Sequence, residues 1–95
     1  MTDWRHDTWL IAGGRDRTAG QPLNVPPVFA SNFYHPAERV YSRSEGTATT
    51  DALEVLLGGL EGGRGLAFAS GMAAAAVVFN RLAVGSHIAV PAEPY

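Results

Sequence analysis

The chain is predicted to be α/β, with an extended N-terminal arm leading into the first strands and helices of a larger, incomplete α/β domain. Three features predict it. The apolar run Leu66-Ala67-Phe68-Ala69 passes through Ser70-Gly71 straight into the alanine-rich stretch Met72 to Phe79, as a strand covered on both faces does when it feeds a helix. A second short apolar segment, His87-Ile88-Ala89-Val90, follows; strand, helix and strand in that order imply a right-handed crossover joining neighbouring parallel strands. Upstream, Leu53, Leu56, Leu57 and Leu60 fall at i, i+3, i+4 and i+7, the apolar stripe of one helix face.

Taken in order, residues 1–48 are irregular. Pro22, Pro26, Pro27 and Pro36 lie in this half, and each proline pushes its predecessor toward β or polyproline II geometry. The segment from Gln21 to Tyr34 is therefore expected to run extended. Its prolines block sheet pairing, so it is read as an arm that docks on a neighbouring domain or subunit. Regular structure is expected from Thr49, with Thr50 or Asp51 as N-cap and Glu54 in the first turn of the leucine-striped helix. Gly58-Gly59 should weaken that helix and Gly62-Gly63 end it. A strand over 65–69, a helix from Gly71 to Leu82, a stop at Val84-Gly85 and the second strand complete the chain. Two parallel strands do not make a stable sheet, so the sequence is expected to stop inside a fold.

Composition excludes several classes. The 95 residues are 46% apolar and 17% charged, which is globular rather than disordered. A net charge of −2 with seven scattered basic residues offers no patch for nucleic acid. The absence of cysteine removes disulfides and thiolate metal sites. His6, His35 and His87 have no metal-ligand spacing, so no metal is expected. The N-terminus is too polar for a signal peptide, and the longest apolar run, Met72 to Phe79, is far short of the roughly 20 residues that span a bilayer. A cytoplasmic protein without membrane contact is the expectation. All seven basic side chains are arginine, so chemistry that needs a protein amine cannot be completed by these residues.

Ser70-Gly71-Met72 is the leading candidate site. Ser70 is a good N-cap, Gly71 has no Cβ to fend off a ligand, and the N–H groups of Gly71, Met72 and Ala73 would face outward at the positive end of the helix macrodipole, an anion cradle. A plain capped turn fits the same residues. A Rossmann-type nucleotide site is the alternative, with Glu93 placed near where a ribose ligand would sit. Only one of the three glycines of G-x-G-x-x-G is present in Ser70 to Ala75.

Further motifs, in this order and spacing, resemble the N-terminal portion of the Cys/Met-metabolism family of pyridoxal-phosphate enzymes. This is the group of cystathionine γ-synthase, cystathionine γ-lyase, methionine γ-lyase and the homoserine-ester sulfhydrylases. The carriers are Val25-Pro26-Pro27-Val28 with Ser31-Asn32-Phe33, Tyr41-Ser42-Arg43, Leu53-Glu54 with Leu60-Glu61-Gly62-Gly63, Phe68-Ala69-Ser70-Gly71-Met72-Ala73-Ala74, and Tyr95. The resemblance implies a fold-type-I large domain, with residues 1–48 as arm and phosphate-contact loop and 49–95 as the start of the cofactor-binding domain. It implies pyridoxal 5'-phosphate as cofactor, an amino-acid substrate, and formation or cleavage of a carbon–sulfur bond at the γ-carbon of a homoserine or homocysteine derivative. Cofactor contacts are implied for Ser70, Gly71 and Met72, for Tyr41 and Arg43 reaching from an adjacent subunit, and for Tyr95, which stacks on the pyridine ring and takes part in proton transfer. Shared active sites imply at least a dimer, with a homotetramer expected of the intact protein.

The family pattern Tyr-x-Arg-x-x-Asn-Pro-Thr is not kept. Arg43 is followed by Ser44-Glu45-Gly46-Thr47-Ala48-Thr49, one residue longer and without Asn or Pro, which should shift Tyr41 and Arg43 relative to the next helix. The Schiff-base lysine, the acidic partner of the pyridinium nitrogen and the arginine for the substrate carboxylate are expected beyond residue 95. The 95 residues alone are therefore expected to be inactive; a non-catalytic remnant is the third reading. Beside these stand plainer roles: a solvated loop for Tyr41-Ser42-Arg43, a core side chain for Met72, and helix-end or loop charges for Glu54 and Glu61.

Overall fold

Four helices and no β-ladder make up the described part of the chain, residues 3–94 of a computed structural model. They are α1 (His6–Ala12), α2 (Ser42–Glu45), α3 (Ala48–Leu60) and α4 (Gly71–Asn80). The first two were not expected. α1 forms from only seven residues because it has something to lie on: the Trp9 indole donates from Nε1 to the Leu56 carbonyl at 2.8 Å. A Cβ on Gly59 would run into the same ring. α1 and α3 are the one helix pair in extensive contact among the described residues.

The cap of α3 lies three residues before the earlier of the two expected positions, and neither Thr50 nor Asp51 fills it. Thr47 holds that position in extended backbone and accepts from the Thr50 amide at 3.3 Å. The shift places Asp51, rather than Glu54, in the first turn. The hydroxyl of Thr49 is committed elsewhere: it accepts from the Val28 amide at 2.8 Å and donates to the Pro26 carbonyl at 2.9 Å. The arm is thereby fastened to the start of α3. It also touches residues 40–42, through an isolated antiparallel bridge from Asn32 to Tyr41 and bonds from Phe33 N to Val40 O and from Ser42 N to Ser31 O, each 3.0 Å. The arm is thus partly docked on its own chain, while Leu23, Phe29 and Tyr34 stay exposed.

α3 runs through Gly58 and Gly59 to Leu60, and each of the two glycines is a point of close approach. Gly58 is the one buried residue of that helix, and a Cβ there would stand 2.5 Å from the Gly65 nitrogen and 2.7 Å from the Gly63 carbonyl. Gly62-Gly63 end the helix as expected, in a Schellman arrangement. Gly62 takes a positive φ of 67°, its amide donates to the Gly59 carbonyl at 3.4 Å, and Gly63 donates to Gly58 at 2.8 Å. The chain then doubles back along α3, where the Glu54 carboxylate accepts from the Ala67 amide at 2.8 Å.

The segments expected as parallel strands, 65–69 and 87–90, are not assigned as strands, and no ladder joins them among the described residues. The physical reason is the one anticipated for a lone parallel pair, which needs further strands and covered faces to persist. α4 forms as expected from Gly71 and stops at Asn80, two residues early. Its last turn tightens through i→i+3 bonds from Arg81 to Val78 and from Leu82 to Phe79, both 3.1 Å. Among the described residues no helix is long and apolar enough to cross a membrane.

Candidate functional site

The start of α4 is built by Ser70. Its backbone is extended (φ −155°, ψ 160°), its Oγ accepts from the Ala73 amide at 3.1 Å, and its carbonyl accepts from Ala74 at 3.1 Å. This changes one expectation. The Ala73 amide is spent on the cap, so the free donors are those of Gly71 and Met72, neither of which has an acceptor among the described residues. Ser70, having used a lone pair, still has its own hydroxyl proton to give.

Gly71 is not required by the fold around it. A Cβ there would meet nothing within 4 Å, and its φ is not in the left-handed region. The space over it is open. No acidic residue occupies the first turn of α4, so nothing competes with an anion for the positive end of the helix. Two bare amides, a hydroxyl proton and an approach without side-chain bulk fit a phosphate group. Met72 is three-quarters exposed, which removes the plainer reading of it as a core side chain within this chain.

Tyr41 and Arg43 sit in and beside α2. Tyr41 is the N-cap of that short helix, and its side chain makes no capping bond. Both side chains are exposed, and neither the phenol nor the guanidinium has a partner among the described residues. Arg43 lines an open cavity with Glu45, Asp51, Glu54, Arg64 and Leu66; Ser70, Gly71 and Met72 are not part of it. Within one chain, and among the described residues, this cavity does not join the two groups. Tyr95 lies outside the described residues.

The residues that sequence reasoning passed over are Arg39 and Glu45. Glu45 Oε2 accepts from the amides of Tyr41 at 2.6 Å and Val40 at 2.9 Å. Those bonds, that of Tyr41 first, hold the carboxyl below its usual range. Arg39 donates from Nη1 to the Glu45 carbonyl at 2.9 Å and from Nη2 to Asp51 Oδ2 at 2.5 Å, and its guanidinium lies 5.9 Å from the centroid of the Phe33 ring. A signal was present: glutamate four residues after the residue preceding a short helix resembles a capping box shifted by one position.

Residues 7–95 match the profile of a Cys/Met metabolism PLP-dependent enzyme. The chain is 38% identical over 100 residues to cystathionine beta-lyase MetC of Bacillus subtilis (strain 168), covering 98% of this chain and 25% of the relative. It is 39% identical over 97 residues to a cystathionine beta-lyase of Lactococcus lactis subsp. cremoris, covering 93% and 25%. The chain therefore spans about a quarter of the length of these relatives. No solved structure gives a significant match.

Proposed function

We propose, since the chain belongs to the Cys/Met-metabolism family of pyridoxal-phosphate-dependent enzymes, that the protein acts on a carbon–sulfur bond of a thioether amino acid of the cystathionine type. The observation that carries the reading is the uncommitted start of α4, where the cap takes one amide and leaves those of Gly71 and Met72 for an anion. Bound pyridoxal phosphate would supply an electron sink that stabilises negative charge at the amino acid's α-carbon.

Each residue of this chain then has a definite task. Gly71 and Met72 donate their N–H groups to phosphate oxygens, and Ser70 adds its hydroxyl proton. Arg43, offered to the site of a neighbouring identical subunit, brings a planar fork suited to phosphate, and Tyr41 adds one further donor. Tyr95 would stack on the cofactor ring and hold or move a proton at its phenol oxygen. These roles make the assembly at least a dimer, and a homotetramer is the arrangement we favour, in the cytoplasm.

Cystathionine contains two carbon–sulfur bonds. The names of the relatives favour cleavage on the β-carbon side, whereas the family resemblance implies the γ-carbon. Product analysis separates the two. The intact protein, loaded with pyridoxal phosphate and given cystathionine, is expected to release pyruvate, ammonia and homocysteine. Release of 2-oxobutyrate, ammonia and cysteine would move the reaction to the γ-carbon, and absence of both product sets would overturn the proposal.

A further inference from the structure

We infer that Glu45, braced by Arg39, is a positioning residue that fixes how Tyr41 and Arg43 are presented to the cofactor phosphate. The inference rests on the placement of that pair proposed above. It starts from what the loop lacks. The family pattern stiffens this turn with Asn-Pro, and here the turn is one residue longer and has neither, so its conformation must be held by other means.

The Glu45 carboxylate supplies them. A single oxygen, Oε2, takes both the Val40 and the Tyr41 amides, while the Glu45 and Gly46 amides close the helical turn onto the Tyr41 and Ser42 carbonyls at 2.9 and 2.8 Å. Glu45 therefore ties the turn at both ends. Arg39 then joins the Glu45 carbonyl to Asp51 in the first turn of α3, which couples the turn to the long helix. All of these bonds fall on backbone groups or on Arg39, Glu45 and Asp51. The phenol of Tyr41 and the guanidinium of Arg43 are left free. A locked backbone carrying two uncommitted donors loses less conformational entropy when an anion arrives, which is preorganisation.

The test compares binding of pyridoxal phosphate with binding of pyridoxal, which lacks the phosphate, to the intact protein. Glu45→Ala is expected to weaken pyridoxal phosphate about tenfold, the scale of one charge-assisted hydrogen bond, and to leave pyridoxal unchanged. Glu45→Gln keeps an amide oxygen able to accept both N–H groups and is expected to restore most of the loss. In a Tyr41→Phe, Arg43→Ala background, Glu45→Ala should cost nothing further, because its effect runs through that pair. Equal weakening of both ligands, or no weakening while Arg43→Ala alone selectively impairs pyridoxal phosphate, would overturn the inference and leave the proposed site standing. Unchanged binding in Arg43→Ala would overturn the placement of the pair, and this inference with it.

Discussion

A carboxylate at position 71 sets two effects against each other, which makes Gly71→Asp informative. At the first position of α4 an added negative charge favours the helix by about 0.3–1 kcal/mol through the macrodipole, and the space over Gly71 accepts a side chain without a clash. The same charge would stand where the proposed phosphate docks. The expected outcome is an unchanged or slightly raised melting temperature together with a loss of pyridoxal phosphate affinity of more than about tenfold, read by equilibrium binding. Undiminished affinity would remove Gly71 from the site. Glu45 supplies a second residue-scale expectation. Its carboxyl lies below the ordinary range because it accepts from the Tyr41 and Val40 amides. A lowered folded-state value stabilises above the ordinary carboxylate range and loses that contribution as pH falls through the lowered value. Hydrogen-exchange protection of the Val40 and Tyr41 amides, corrected for intrinsic rates, should persist down through the ordinary glutamate range and vanish only below it. Loss of protection at or above that range would contradict the bonding seen.

At the scale of elements, Gly58→Ala inverts the usual rule for helices. Alanine inside a helix normally improves on glycine by roughly 0.5–1 kcal/mol. Here the added methyl would meet the backbone of Gly63, Arg64 and Gly65, which cannot swing aside as a side chain can. A loss of about 1–3 kcal/mol is expected from such overpacking, measured by denaturant unfolding of the intact protein; a gain would mean that α3 and the returning segment do not approach closely in solution. The same contrast shows what the sequence made legible. Ser70 as the cap of α4, and Gly62-Gly63 as the stop of α3, are settled within a few residues, so local chemistry sufficed. The cap of α3 was misplaced because Thr47, Thr49, Thr50 and Asp51 all have capping side chains, and the choice was made by partners far along the chain: Thr49 is held by Pro26 and Val28, and Asp51 by Arg39. α1 was missed for a related reason, since seven residues owe their helix to one indole reaching across to α3. Of the candidate site, the donors of the α4 turn could be read from sequence, whereas the Glu45 latch depends on how the turn closes.

For the whole molecule, the balance of surface and core decides how the 95 residues behave alone. Their accessible surface is 8484 Å², against about 5,300 Å² for a compact chain of this mass. The radius of gyration is 17.2 Å, against about 12 Å. No apolar residue among those described is buried, and Leu10, Phe29, Met72, Val78 and Ile88 are each about half exposed or more. Apolar area left in water contributes nothing to stability, at roughly 25 cal/mol for each Å² not covered, and the extended segments 65–69 and 87–90 offer unpaired backbone to any neighbour. The 95-residue chain produced by itself is therefore expected to self-associate or to unfold over a broad temperature range, with a midpoint that depends on concentration. Its lack of lysine adds the expectation of no turnover of cystathionine even with pyridoxal phosphate supplied. Sedimentation and thermal melts across a hundredfold range of concentration test the first point. A sharp melt of a monomer, independent of concentration, would mean that α1 and α3 alone hold the chain together, and that the exposed faces of α4 and the arm need no covering.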